Sequence, residues 1–246
     1  MKSLLLIFIA LCIVFTTVNA EQILEIPKKP EGYSMGSNTP ILHLEAFYDL
    51  TCSDCKAAYG IMSTLLKNLI ISKNKDLRFT FHVFPIPSHH NAFLFSKGLH
   101  AIAKYSNNTQ DVWDFINLAF ANQDKFYNDA TQDLTEAQIV QNFVNLVSSN
   151  MPQYNATYFS ELLSNPPVAY DTLISSQYAN YKTVIWTPTY LANGIQIGGA
   201  GGFTYNDWIN FIKQFIHIGS ESLDLEVQEK EENKVYDFIK LSSNDI

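Results

Sequence analysis

The order of predicted elements specifies an α/β fold: a four-stranded mixed sheet flanked by helices, with a helical block over residues 91–180 inserted in its middle. Three observations predict it. A strand-like run, an amphipathic helix and a second, aromatic-rich strand follow one another directly, and such a unit needs a right-handed crossover that makes its strands parallel. Near the C-terminus, Asn193-Gly194 is a strong two-residue turn signal that joins two short strands into an antiparallel hairpin. Between these halves the chain carries helical patterning and almost no strand signal.

Taken in order, residues 21–40 read as an N-terminal linker, because Pro27, Pro30, Gly32, Gly36 and Pro40 break any regular period. Residues 41–48, ILHLEAFY, suit a buried strand, and Asp49, Leu50 and Thr51 form a short loop. A helix is expected from about Ser53 to Ile71, where Ala58, Ile61, Met62, Leu65, Leu66 and Leu69 fall at helical spacing. Residues 77–84, LRFTFHVF, alternate and are rich in aromatics, so they read as a strand ended by Pro85 and Pro87. The helical block divides into candidates at 92–105, 110–121, 135–148 and 157–180, the last interrupted or capped by Pro166-Pro167. Thr189–Ala192 and Ile195–Ile197 are the hairpin strands. After a glycine-rich turn, a final helix begins at Thr204, with Asp207 completing a capping-box pattern, and ends near Gly219. Trp208, Phe211, Ile212 and Phe215 form its apolar stripe.

The ends read differently. Lys2, an apolar run from Leu4 to Phe15 and a Val-Asn-Ala ending at Ala20 fit a secretory signal over residues 1–20. The run is too short to cross a ~30 Å hydrocarbon layer as a helix. Residues 219–246 form an acidic, solvated tail, leaving one main domain over 41–218. The net charge is -8 and Arg78 is the only arginine, so no basic stripe for nucleic acid or anionic membrane surfaces exists. Sequons at Asn107 and Asn155 are compatible with glycosylation during secretory passage. The expected location is therefore extracellular or the lumen of the secretory or endolysosomal pathway. The terminal Ser243-Asn244-Asp245-Ile246 is no retrieval signal for the endoplasmic reticulum.

With Cys12 in the signal, two cysteines remain, Cys52 and Cys55, in the sequence Cys52-Ser53-Asp54-Cys55. They fall at a strand-to-helix junction. There the first cysteine faces the free N–H groups of the helical turn, which favour its thiolate, the species that attacks disulfides. The second, one turn on, is placed to resolve a mixed disulfide. Two other readings of the pair exist. Structural zinc needs four ligands; no second cysteine pair is present, and His89 and His90 lack metal-site spacing. An inert structural disulfide closing so short a loop gains little stability. No metal or other cofactor is expected beyond the redox-active Cys52–Cys55 disulfide itself. Asp54 supplies negative charge beside the first sulfur, which opposes a strongly stabilised thiolate. His89 follows the strand at 77–84 and is a candidate for the edge of the site, against the reading of a loop histidine bonded to backbone. The glycine run 198–202 lacks the βαβ context of a dinucleotide loop.

The pieces EAFYDLTCSDC, the helical insertion and TPTYLANG together resemble the DsbA-like branch of the thioredoxin superfamily. Within it the chain is most similar to eukaryotic secretory thioredoxin-fold proteins with motifs like EAFxDxxCPDS followed by PxPxHxNAF, matched here by residues 85–93. The likeness covers about residues 38–218. It implies a thioredoxin-like, DsbA-like fold and thiol–disulfide oxidoreductase activity on protein cysteines, with Cys52 as nucleophile and Cys55 as resolver. It also implies a cis bond between Thr187 and Pro188. Thr187, Pro188, Ser53 and Asp54 would then meet cysteine-containing proteins or extended peptides as substrate, and the redox partner is unspecified. Two departures stand out. The carboxylate that the family buries six residues before the first cysteine is Ala46 here, and strand alternation sends Glu45 to the other face. Similar proteins often carry serine where this chain has Cys55. A non-catalytic peptide-binding or chaperone-like module is the alternative function. A glutathione-using transferase is disfavoured by Cys55, since that class generally lacks a resolving cysteine.

Overall fold

The computed structural model describes residues 29–71 and 74–218. The expected signal over 1–20, most of the linker and the acidic tail over 219–246 lie outside the described residues.

The sheet has five strands rather than four, in the order β1-β3-β2-β4-β5. Strand β2 (Leu42–Tyr48) pairs in parallel with β3 (Leu77–Val83), and antiparallel with β4 (Thr189–Ala192). The short β5 (Ile195–Gln196) returns from the Asn193-Gly194 turn against β4. The additional strand β1 (Tyr33–Gly36) lies within the stretch read as linker and pairs antiparallel with β3. Its glycines misled that reading, because they bracket the strand instead of breaking it. Gly32 and Gly36 both adopt positive φ, +89° and +93°, and a Cβ on Gly36 would lie 2.5 Å from the Leu77 carbonyl oxygen.

Helix α1 (Ser53–Ile71) joins β2 to β3 and buries Ala58, Met62, Leu65, Leu66 and Leu69 against Leu42, Leu44, Ala46 and Tyr48 of β2. The insertion contains α2 (Ala92–Tyr105), α3 (Gln110–Asn122), α4 (Glu136–Asn150), α5 (Ala156–Leu163) and α6 (Pro166–Tyr181). The single helix expected over 157–180 is thus two, because Pro166 and Pro167 occupy the first turn of α6, where missing N–H groups cost nothing. A 3₁₀ turn at Gln123–Phe126 fills part of the expected break after α3. The last helix, α7 (Tyr205–Ile212), has the predicted capping box between Thr204 and Asp207 but stops short of Gly219.

The opposite sheet face is covered in part by α6, through Ala179 and Tyr178 against Phe47, Phe84 and Leu191. Glu45 points to this side, as strand alternation predicts, and its carboxylate lies 3.2 Å from His82 Nε2. His82 Nδ1 bonds Glu31, whose other oxygen accepts from the Ser175 hydroxyl at 2.6 Å. Ser175 in turn meets His100 Nε2 at 3.0 Å, and the Tyr33 hydroxyl meets His100 Nδ1 at 2.9 Å. This polar chain ties β1 to the sheet and to the insertion.

Burial lowers the His100 pKa to about 4, so the imidazole is neutral in the fold. A depressed histidine contributes stability above its ordinary value of ~6.5 that is lost as pH falls through the folded value. Urea unfolding between pH 7 and pH 4 should therefore show His100→Gln losing about 2 kcal/mol less than the wild type over that interval. Gly98 is a second test of packing: a Cβ there would meet Phe143 Cζ at 2.6 Å and Phe115 Cζ at 2.7 Å. Gly98→Ala should cost about 1–3 kcal/mol in the same measurement at pH 7.

Candidate active site

Because β2 and β3 run parallel, the loops that follow them emerge at the same end of the sheet. The β2–α1 loop winds around Asp49, whose side chain is fully buried. Its Oδ1 accepts from the Thr51 backbone N–H and hydroxyl, each at 2.7 Å. Its Oδ2 accepts from the Ile86 N–H at 3.0 Å and lies 3.0 Å from His89 Nδ1. A carboxylate removed from water must be compensated in this way. The Asp49 main chain engages both cysteines: its carbonyl accepts from the Cys52 N–H at 3.1 Å, and its own N–H donates to Cys55 Sγ at 3.4 Å.

The two thiols differ in environment. Cys52, 6% exposed, stands at the start of α1. A hydrogen bond from the Cys55 thiol is the largest influence on it; with the N–H groups of Cys55 and Asp54 and the Thr187 hydroxyl, it outweighs burial and lowers the Cys52 pKa to about 6. Asp54 therefore acts on this sulfur through its backbone N–H, in the direction opposite to the like-charge effect expected of its side chain. Cys55 is fully buried, and burial, followed by its contact with Cys52, pushes its thiol well above the ordinary range. Both cysteines are free thiols in this structure.

The loop before β4 closes the other side. The Thr187–Pro188 peptide is cis, as the family resemblance implies. The Cys52 thiol donates to the Thr187 carbonyl at 3.7 Å. Ile185 and Trp186, just upstream, are 68% and 69% exposed, and Ser53 and Asp54 are exposed on the first turn of α1. The exposed Ser53 and Asp54 follow the buried Cys52 directly in the chain, and the Thr187 carbonyl meets its sulfur from the loop before β4.

At the position of the missing family carboxylate, Ala46 is fully buried and pairs across the sheet with Tyr190. The Tyr190 hydroxyl bonds the Tyr48 hydroxyl at 2.6 Å, and burial raises both phenols. The buried acid whose main chain bonds both cysteines, Asp49, was read from sequence as a loop residue. Its signal was an aspartate followed two residues on by threonine, the pattern of an Asx turn, set among apolar neighbours. His89 bonds this carboxylate rather than backbone. Asn107 and Asn155 are exposed and remote in sequence from the site, and the Asn155 side chain caps α5. Among the described residues no group of three or more histidine, cysteine or acidic side chains is arranged to hold a metal ion. No described helix is long and apolar enough to cross a membrane.

Comparison with known proteins fits this geometry. Solved structures similar to the chain include a proposed protein-disulfide isomerase from Pseudomonas syringae, with 16% identity and a TM-score of 0.60 over 74% of this chain and 97% of that one. BdbD from Bacillus subtilis shares 18% identity and a TM-score of 0.56 over 74% and 91%. Wolbachia pipientis α-DsbA1 shares 16% identity and a TM-score of 0.56 over 78% and 93%. No curated protein sequence matches significantly. These likenesses show a common fold, and the thioredoxin family model matches residues 28–214, so the chain belongs to the thioredoxin family, with a DsbA-like helical insertion.

Proposed function

We propose that the protein is a thiol–disulfide oxidoreductase acting on protein cysteines through Cys52 and Cys55, in the lumen of the secretory or endolysosomal pathway or outside the cell. One observation carries the reading: at the start of α1 the Cys52 thiol, its pKa lowered to about 6, is hydrogen-bonded to the fully buried Cys55 thiol, whose pKa burial pushes well above the ordinary range. In the reducing direction the Cys52 thiolate attacks one sulfur of a substrate disulfide, forming a mixed disulfide and expelling the other substrate sulfur as a thiolate. Cys55 then loses its proton and attacks Cys52 Sγ, releasing the second substrate thiolate and leaving a Cys52–Cys55 disulfide. Two electrons pass to the substrate, and the reverse sequence oxidises a substrate dithiol. A thiolate less stabilised than that of DsbA, whose pKa is ~3.5, favours a weaker oxidant than that protein.

The leader-like N-terminus and the two sequons support the compartment. Extended segments of client proteins would lie along Thr187 and Pro188, with Ser53 and Asp54 at their edge. The exposed pair Ile185 and Trp186 also favours a second reading, a peptide-binding module in which the thiols are incidental.

Three measurements separate the readings. Thiolate absorbance near 240 nm should titrate with a midpoint close to 6 in the reduced protein and disappear below pH 8 in Cys52→Ala. Insulin reduction should be lost at least a hundredfold in Cys52→Ala, on the order of what removing an essential nucleophile costs. Equal activity in both proteins would leave only the binding module. Cys55→Ala should accumulate mixed disulfides with client proteins that non-reducing electrophoresis resolves and dithiothreitol releases.

A further inference from the structure

The redox reading leaves untouched the polar chain on the sheet face opposite α1. His82 of β3 places both ring nitrogens on carboxylates: Nδ1 bonds Glu31, and Nε2 lies 3.2 Å from Glu45 Oε2. The three side chains are buried, with 2%, 6% and 7% of their surface exposed for His82, Glu31 and Glu45. A neutral imidazole has one N–H and one bare lone pair. Between two ionised carboxylates it would turn that lone pair against an anion. The contacts therefore require one further proton within the trio. The imidazole takes it, since its ordinary pKa of ~6.5 exceeds the ~4.3 of a glutamate.

That proton closes a clamp on the N-terminal strand. Glu31 stands just before β1, and its second oxygen accepts from the Ser175 hydroxyl of α6 at 2.6 Å. With its own proton committed to Glu31, Ser175 accepts from His100 Nε2, 3.0 Å away. Nδ1 of that neutral ring is then the acceptor for the Tyr33 hydroxyl at 2.9 Å. Strand β1 is thus held to α2 and α6 by neutral groups, and to β2 and β3 by the charged trio. Gly32 closes over the His82 ring, where a Cβ would lie 2.7 Å from Nδ1. The ring also stacks on Phe47 and Tyr178, with centroids 4.5 and 5.1 Å away, and aromatic faces favour a cation. Burial opposes the charge on His82, but the hydrogen bonds and charges of Glu31 and Glu45 outweigh it and raise the pKa. The other titratable or charged groups on the elements packed here are few. They are His43 of β2, bonded to Thr80 at 2.7 Å, and its register partner Arg78 of β3. On α6, Lys182 lies 5.4 Å from the centre of the Tyr178 ring, and beyond His100 Asp171 pairs with Lys104 of α2 at 2.7 Å.

We propose that the Glu31–His82–Glu45 trio is a proton-operated latch, which holds β1 on the edge of the sheet while His82 is an imidazolium and releases it when that proton leaves. Deprotonation leaves one buried carboxylate without a donor. The segment that carries Glu31 is the one able to withdraw, because β1 is a four-residue strand at the end of the sheet, paired with β3 alone. Its departure uncovers the backbone donors and acceptors of β3 from Arg78 to Phe81. A histidine whose folded pKa is raised contributes stability that is complete below its ordinary ~6.5 and is lost as pH rises through the folded value. The latch is therefore closed in an acidic compartment and opens towards alkaline pH. No cysteine takes part, so the inference does not rest on the redox reading.

Two measurements on the wild-type protein test the latch. Nitrogen NMR of the imidazole should show both His82 nitrogens protonated at pH 6 and a deprotonation midpoint above the ordinary ~6.5. Amide hydrogen exchange, corrected for its intrinsic pH dependence, should show protection of residues 33–37 falling through that same midpoint. The fall should be about tenfold for each unit by which the midpoint exceeds ~6.5, while residues 42–48 of β2 keep their protection. The Ser37 N–H, which donates to the Leu77 carbonyl at 2.8 Å, reports on the far end of the strand. Glu31→Gln separates a latch from a merely structural contact. Its amide can donate to the bare nitrogen of a neutral His82 while its carbonyl still accepts from Ser175, so β1 protection should become independent of pH between 6 and 9. Protection in that variant reduced equally at both pH values overturns the proposal. So does a neutral His82 at pH 6, a His82 still doubly protonated at pH 9, or β1 protection unchanged across the His82 midpoint. Should Glu31→Gln fail to fold, the two wild-type midpoints decide.

Discussion

The buried carboxylate of Asp49 is the constraint on which the site depends. An ion removed from water is tolerable only when donors converge on it, and here they come from two loops: Thr51 before α1, and Ile86 and His89 after β3. Each contact that satisfies the charge also fixes backbone. The loop after β2 cannot relax without breaking the bonds to Thr51, and the segment after β3 cannot leave without abandoning the charge. The cysteines inherit this rigidity, since the Asp49 main chain bonds the Cys52 N–H and Cys55 Sγ.

The sheet makes that convergence possible. Parallel pairing of β2 with β3 brings their following loops to one end, and antiparallel pairing of β2 with β4 brings the start of β4 to the same end. Thr187 and Pro188 thereby close on Cys52 from the third side. The far face carries the Glu31–His82–Glu45 cluster and its extension to Ser175, His100 and Tyr33, which anchors the first strand. One end of the sheet holds the two cysteine sulfurs, and a separate polar network under it secures the N-terminal strand.

Much of this was legible in the sequence because it rests on local signals. Helix α1, strands β2 and β3, the hairpin and the capping box at Thr204 follow from periodicity, turn chemistry and capping, which need no knowledge of neighbours. Strand β1 was hidden because a four-residue edge strand between two glycines has no periodicity of its own; pairing with β3 defines it. The division of 157–180 into two helices turns on whether a proline pair interrupts or begins a helix, which the tertiary packing of α5 and α6 settles. At the site, the sulfurs and the Thr187-Pro188 loop were found from their motifs. Asp49 was missed because burial is a property of the assembled fold, and a loop aspartate looks solvated until Ile86 and His89 arrive from residues nearly forty positions away.

The replacement at Ala46 gains meaning from this geometry. A carboxylate at that position would project from β2 into the core that Cys55 shares, where Tyr190 pairs across the sheet and bonds Tyr48. Phenols raised by burial hold their protons, so that space carries no permanent charge. A buried acid instead stands three residues along, at Asp49, where its carboxylate meets a histidine that reaches the surface. Moving a buried acid from the strand to the loop changes its partners: in the strand it would face only the sulfur and the core, while in the loop it faces main-chain donors and a titratable ring. The inner thiol is left in an environment that favours its protonated form, and the outer thiol in one that favours the anion. This difference between two adjacent sulfurs is what directional exchange through a mixed disulfide requires, and it comes from the burial of Cys55 and the donors around Cys52 rather than from a charge at position 46.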